Sequence, residues 1–185
     1  LEQLYRDMAV IRAFDRQATL LQRQGQLALW PPSQGQEAAQ VGSARAARAQ
    51  DHLFPSYREH VVATIRGVDP VDIIKLMRGT SHGGWDPTDP KNGNTHLYTR
   101  VLGSQTLHAT GYAMGIAFDG RHATGDADTD EAAILYFCDG ASSPGARHPA
   151  MVLAASHRSP QRCLLSTHLR GLSAPAAPHP AVHHA

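Results

Sequence analysis

With 185 residues, 42% hydrophobic and 18% charged, the chain has enough apolar material for one ordinary core and lacks the composition of a disordered polymer. A formal charge of +1 without any basic cluster argues against a nucleic-acid-binding surface. No apolar run approaches the roughly 18 residues that span a membrane, LEQLYRDMAV has no signal-peptide core, and Cys138 and Cys163 stand in no metal or disulfide spacing, so the expectation is a cytoplasmic protein with neither membrane nor nucleic-acid partners.

Leu1, Leu4, Met8, Ile11, Phe14, Ala18 and Leu21 recur at steps of three and four, which predicts an amphipathic helix ending near Gly25. Trp30-Pro31-Pro32 breaks the chain. Ser33, followed three residues later by Gln36, has the spacing of a capping box and predicts an alanine-rich helix through about Arg48. Residues 51–57, DHLFPSY, read as a loop or short extended piece, and Arg58 to Arg66 as a helix stopped by Gly67. Asp69 and Pro70 supply the cap and first position of the next helix, whose buried face is Val71, Ile73, Ile74 and Met77 and whose stop is Gly79.

A glycine- and proline-rich stretch over 80–94 predicts a long loop, and loops of that length often carry function. Gly103, Gly111 and Gly115, interleaved with Ala and Thr, predict a turn and then a tightly packed helix; 121–131 is polar and expected at the surface. The run AAILYFCDGASSPG over 132–145 follows. Ile134 to Phe137 suit a buried strand of a parallel sheet, and Asp139 falls at its carboxyl end, where open α/β sheets bind ligands. Gly140 and Ala141 leave room for close backbone approach, while Asp139 serves equally well as a plain turn former.

Residues 150–156 continue as a helix, but the texture then changes. Beyond Asp139 there is no Asp, Glu or Lys, yet the last 46 residues hold half of the 12 His and half of the 12 Pro. Residues 161–185 are therefore expected to be a divergent, disordered tail, with 1–160 forming the ordered domain.

Three segments together resemble the alpha subunit of the thiamine diphosphate-dependent 2-oxo acid dehydrogenases, the pyruvate and branched-chain decarboxylating component. They are Tyr57-Arg58 in FPSYREH, GSQTLHATG after Thr95-His96, and Asp139-Gly140-Ala141, the last being the start of a motif that reads Gly-Asp-Gly and ends in Asn-Asn about thirty residues later. SQGQEAAQVGSA over 33–44 also has the look of that family and is assigned to packing. The resemblance implies an α/β fold, here an incomplete thiamine diphosphate-binding fold with a parallel sheet flanked by helices. It implies cofactor contacts from Tyr57, Arg58, Ser104, Thr106, Asp139, Gly140 and Ala141, with Asp139 as a magnesium ligand.

It also implies a heterotetramer with a beta subunit, whose glutamate helps activate the cofactor. The 2-oxo acid, expected to be pyruvate with a branched-chain acid as the alternative, would be oxidatively decarboxylated and its acyl group passed to a lipoyl-bearing acyltransferase. No histidine is assigned a catalytic role.

The departures are specific. Cys138 replaces the first glycine of the motif, Pro144 a usual Gln or Glu, and Ala146 a usual acid or amide; Thr167-His168 stands where Asn-Asn belongs, and no Asn follows Asn94. The expectation is a C-terminally truncated, frame-shifted alpha subunit, inactive in this form and poorly soluble because its sheet is left open. A non-catalytic α/β interaction module or pseudogene product is the reading from another class; an intact small enzyme with magnesium completed by His168 or water ranks last.

Overall fold

The computed structural model describes residues 1–80, 83–142 and 147–166, without the side chains of 139, 142 and 147. Its elements run α1 (Glu2–Arg23), α2 (Glu37–Ala46), β1 (His52–Phe54), α3 (His60–Ile65), α4 (Pro70–Arg78), α5 (Ser104–Phe118), β2 (Ala133–Cys138), α6 (Arg147–Ser156) and β3 (Gln161–Ser166), with 3-10 turns at Pro90–Asn92 and Asp139–Ser142. The strands form one parallel sheet in the order β1-β2-β3. This is the α/β class, a parallel sheet flanked by helices.

β2 is central, and its sequence shows why an unbroken apolar run is needed. Ile134 and Tyr136 pack with Leu53, Ala44 and Val62 beneath α2 and α3, whereas Ala133, Leu135 and Phe137 pack with Phe54, Ala109 and Ala113 beneath α5. A strand covered on both faces cannot alternate with polar residues. On the outer side of β1, Leu53 N–H donates to Asn94 O at 3.0 Å and His96 N–H to Leu53 O at 2.8 Å, so the end of the long loop pairs with the sheet. A second cluster, around Trp30, Ile73, Met77, Trp85 and Tyr98, joins α1, α3 and α4 to that loop.

Several boundaries follow their local signals closely. Asp69 Oδ1 accepts from Val71 N–H at 2.8 Å, Pro70 opens α4, and Gly79 closes it in the left-handed region at φ 78°. Gly67, at φ 108°, lies so near Lys91 O that a Cβ would fall 2.3 Å from it, so glycine is required where the chain leaves α3.

Three expectations are corrected. α2 starts at Glu37 and not directly after Ser33, whose hydroxyl is spent on Arg58 O at 2.9 Å and caps nothing, and it ends at Ala46 rather than Arg48 because Ala47 turns to extended backbone at ψ 138°. α3 starts at His60, since Ser56 to Glu59 form a capping turn ahead of it: Ser56 N–H donates to Glu59 Oε2 at 2.8 Å and Glu59 N–H to Ser56 O at 3.3 Å. Residues 161–166, assigned to the tail, form β3 in register with the whole of β2. That strand is made by pairing rather than by local pattern, its apolar run being only Cys163-Leu164-Leu165. The remainder of the expected tail, 167–185, lies outside the described residues. None of the described helices is long and apolar enough to cross a membrane.

Candidate functional site at the carboxyl end of the sheet

Parallel strands bring their carboxyl ends to one side, and three segments meet there. β1 delivers Pro55 to Arg58. β2 delivers the turn at Asp139–Ser142, where Ala141 is fully buried against the α5 side of the sheet. The third segment is the turn entering α5, with Gly103 in the left-handed region at φ 80°.

Contacts tie the segments to one another. A Cβ on Gly140 would lie 3.7 Å from both Leu102 Cδ2 and Cys138 Sγ, so the β2 turn rests on the α5 approach. The buried amide of Gln105 donates from Nε2 to Tyr136 O at 2.8 Å, fastening the first turn of α5 to the strand. Burial raises the Tyr57 phenol, and because β1 and β2 run parallel with Phe54 opposite Leu135, the chain after β1 and the chain after β2 leave the sheet at the same end. Arg58 Cζ lies 5.9 Å from the Tyr57 ring centroid.

The expected residues therefore converge, though they do not all face outward. Tyr57, Arg58, Ser104 and Gly140 are half-buried. Ser104 Oγ is 2.9 Å from Thr99 Oγ1, a pair in which either hydroxyl can turn to a new partner. Thr106 is buried, with its hydroxyl donating to Gly103 O at 2.6 Å and its N–H to the same oxygen at 3.1 Å, so both of its donors hold the turn into α5. The Asp139 carboxylate and the Thr167-His168 pair lie outside the described residues. Among the described residues no group of three His, Cys, Asp or Glu side chains could hold a metal ion.

Behind Arg58 lies a buried polar layer. Ser33 Oγ and Gln40 Nε2 both donate to Arg58 O, at 2.9 and 3.3 Å. Burial pushes the Glu59 carboxyl up despite its bonds to Ser56. His60 stacks on Trp30 at 4.2 Å and lies between Pro31 O, 3.0 Å from Nε2, and Tyr98 OH, 2.7 Å from Nδ1. A carbonyl can only accept, so Nε2 carries the proton and Nδ1 accepts from the phenol. This neutral, buried imidazole is held down to about 4.

At the other end of β1, His52 Nδ1 is 3.3 Å from His96 Nε2, with Tyr112 OH 3.2 Å and Glu131 Oε2 3.5 Å from His52 Nε2. His96, stacked on Phe54 at 4.0 Å, is lowered to about 4 by burial and then by His52 beside it. His52 opens β1, whereas His96 stacks on Phe54, the last residue of that strand.

A guanidinium, a phenol and the amino end of a 15-residue helix are groups chemically suited to an anion. The sequence profile of the dehydrogenase E1 component family matches residues 5–164. The chain belongs to that family. Over 157 residues it is 41% identical to the 3-methyl-2-oxobutanoate dehydrogenase subunit alpha of Mycobacterium tuberculosis, covering 85% of this chain and 40% of that protein. It is 28% identical over 175 residues to the pyruvate dehydrogenase E1 component subunit alpha of Bacillus cereus, and 26% identical over 175 residues to that of Bacillus subtilis, covering in each case 95% of this chain and 44% of the relative. The chain thus spans less than half the length of these curated relatives.

Ser33, Gln40 and Gln105 were not predicted as site residues. Their side-chain bonds join segments far apart in sequence, which no local pattern announces. Ser56 and Glu59 were detectable, since Ser-x-x-Glu ahead of an apolar run is itself a capping signature.

Proposed function

We propose that this chain supplies the diphosphate-binding side of a thiamine diphosphate site in the alpha part of a 2-oxo acid dehydrogenase. The observation that carries the reading is the meeting of Tyr57-Arg58, the α5 entrance and the Gly140 turn at the carboxyl end of the sheet, in a member of the E1 component family. Arg58 would neutralise diphosphate charge, with a planar fork suited to two phosphate oxygens. Tyr57 would donate its phenolic proton in a hydrogen bond, and Ser104, released from Thr99, would add a hydroxyl. Gly140 and Ala141 would allow the backbone close to the phosphates, and Thr106 would keep the α5 entrance in shape. Asp139 would contribute one hard oxygen to magnesium. A cofactor held by these residues would supply a nucleophilic carbon for addition to a 2-oxo group.

Residues 1–160 would form the amino-terminal part of the cofactor-binding domain, with β3 continuing it. A beta subunit would complete the site in a heterotetramer and a lipoyl-bearing acyltransferase would take the acyl group, as the family resemblance implies. For the substrate, the greater identity to the 3-methyl-2-oxobutanoate enzyme favours a branched-chain 2-oxo acid over pyruvate. The test has two arms. Calorimetric titration with magnesium thiamine diphosphate should give saturable binding that Asp139→Ala abolishes; a flat isotherm would instead favour a non-catalytic module. Decarboxylation with a beta subunit added should be faster on 3-methyl-2-oxobutanoate than on pyruvate, and the reverse order would restore the pyruvate assignment.

A further inference from the structure

We propose that Ser33 and Gln40 are positioning residues for Arg58, a two-donor clamp on its carbonyl that holds the guanidinium ready for a diphosphate. The proposal rests on the reading of Arg58 as the diphosphate cation. Ser33 is fully buried, Gln40 is 2% exposed, and both donate to the same oxygen, Arg58 O, at 2.9 and 3.3 Å.

Packing alone does not account for Gln40. Its Oε1 is buried without a hydrogen-bond partner among the described residues, a cost that leucine or methionine would avoid. What the amide adds is its donor: Nε2 reaches Arg58 O and, at 3.4 Å, Gln36 Oε1. Ser33 likewise gives up the capping role its spacing predicted and turns its hydroxyl to Arg58.

The clamp is closed from the other strand of chain as well. His60 Nε2 donates to Pro31 O at 3.0 Å, so 31–40 and 58–60 grip each other at three points. Fixing the peptide plane after residue 58 fixes the direction in which the Arg58 side chain leaves the backbone. An arginine whose Cα–Cβ bond is already aimed has less ordering left to do when it binds phosphate. The segment 33–40 thereby serves the site as well as the core.

A double-mutant cycle read by binding of magnesium thiamine diphosphate to the full 185-residue chain tests this, with melts run in parallel to correct for the folded fraction. Ser33→Ala and Gln40→Met should each weaken binding about tenfold, as losses of supporting residues commonly do. Neither should add to the loss caused by Arg58→Ala. A weakening that persists undiminished in the Arg58→Ala background would overturn action through Arg58. Failure of the parent chain to bind, or equal binding by the parent and Arg58→Ala, would overturn the cofactor reading and the purpose assigned here. Hydrogen exchange at the Glu59 and His60 amides decides the clamp separately: both variants should speed it, and unchanged exchange would overturn the clamp itself.

Discussion

β1 and β3 flank the same central strand, and each carries a short apolar run, yet they have opposite fates. In β1, Leu53 is fully buried and Phe54 is 4% exposed, held between β2 and the Asn94–His96 segment and covered by helices on both faces. In β3, Leu164 and Leu165 are 37% and 47% exposed, and among the described residues β2 is the strand's only sheet neighbour. Burial is set by what lies over a strand, more than by the strand's own letters. The candidate site grows from the covered side, where a buried polar layer of Ser33, Gln40, Glu59 and His60 can be kept in fixed geometry.

The sharpest contrast comes from truncating one side chain on each side. Phe137→Ala, at a residue 2% exposed between Leu135 and α5, should cost about 4 kcal/mol in denaturant unfolding. A loss below about 1 kcal/mol would mean that the covered side is not close-packed.

Acid should attack the covered side next. His60 binds its proton near 6.5 when unfolded but only near 4 in the fold, so the unfolded chain takes up the proton first as pH falls. Stability is complete above about 6.5 and declines toward pH 4, by about 3 kcal/mol from this residue alone. His96, also lowered to about 4, steepens the same window. Unfolding free energies measured from pH 7.5 to 4.5 should show this slope, with His60→Gln flattening part of it. A curve level through that range would refute the buried neutral imidazole.

The smallest effect belongs to the open edge. Leu165→Ser should change unfolding free energy by less than about 1 kcal/mol, because little apolar area is withdrawn from water there. It should also lower self-association in sedimentation, since an apolar open edge invites pairing. A large destabilisation would show that β3 is packed against something in solution.

The same division governs how much could be read in advance. Elements whose own residues set their bounds were legible: α1 from its apolar stripe, α4 from Asp69-Pro70 and Gly79, β2 from a run too apolar for a one-sided strand. β3 was not, because its pairing with Ala133–Cys138 defines it and Gln161–Ser166 carries no period. For the candidate site, resemblance to a family named Tyr57, Arg58 and Gly140, which lie on the segments leaving β1 and β2 at one end of the sheet. Ser33 was misread for a physical reason: a serine hydroxyl near a helix start has several carbonyls and amides to choose from, and Arg58 O, 25 positions away, won. Thr106 was legible in position, but not in its turn inward to Gly103.

The central claim is that the covered side of the sheet presents Arg58 to a diphosphate, and the binding isotherm of magnesium thiamine diphosphate on the parent chain and on Arg58→Ala tests it most directly. Loss of a charge-assisted contact of this kind should weaken binding about 10- to 100-fold while leaving the melting temperature of the free chain nearly unchanged. Isotherms that superimpose would contradict the account.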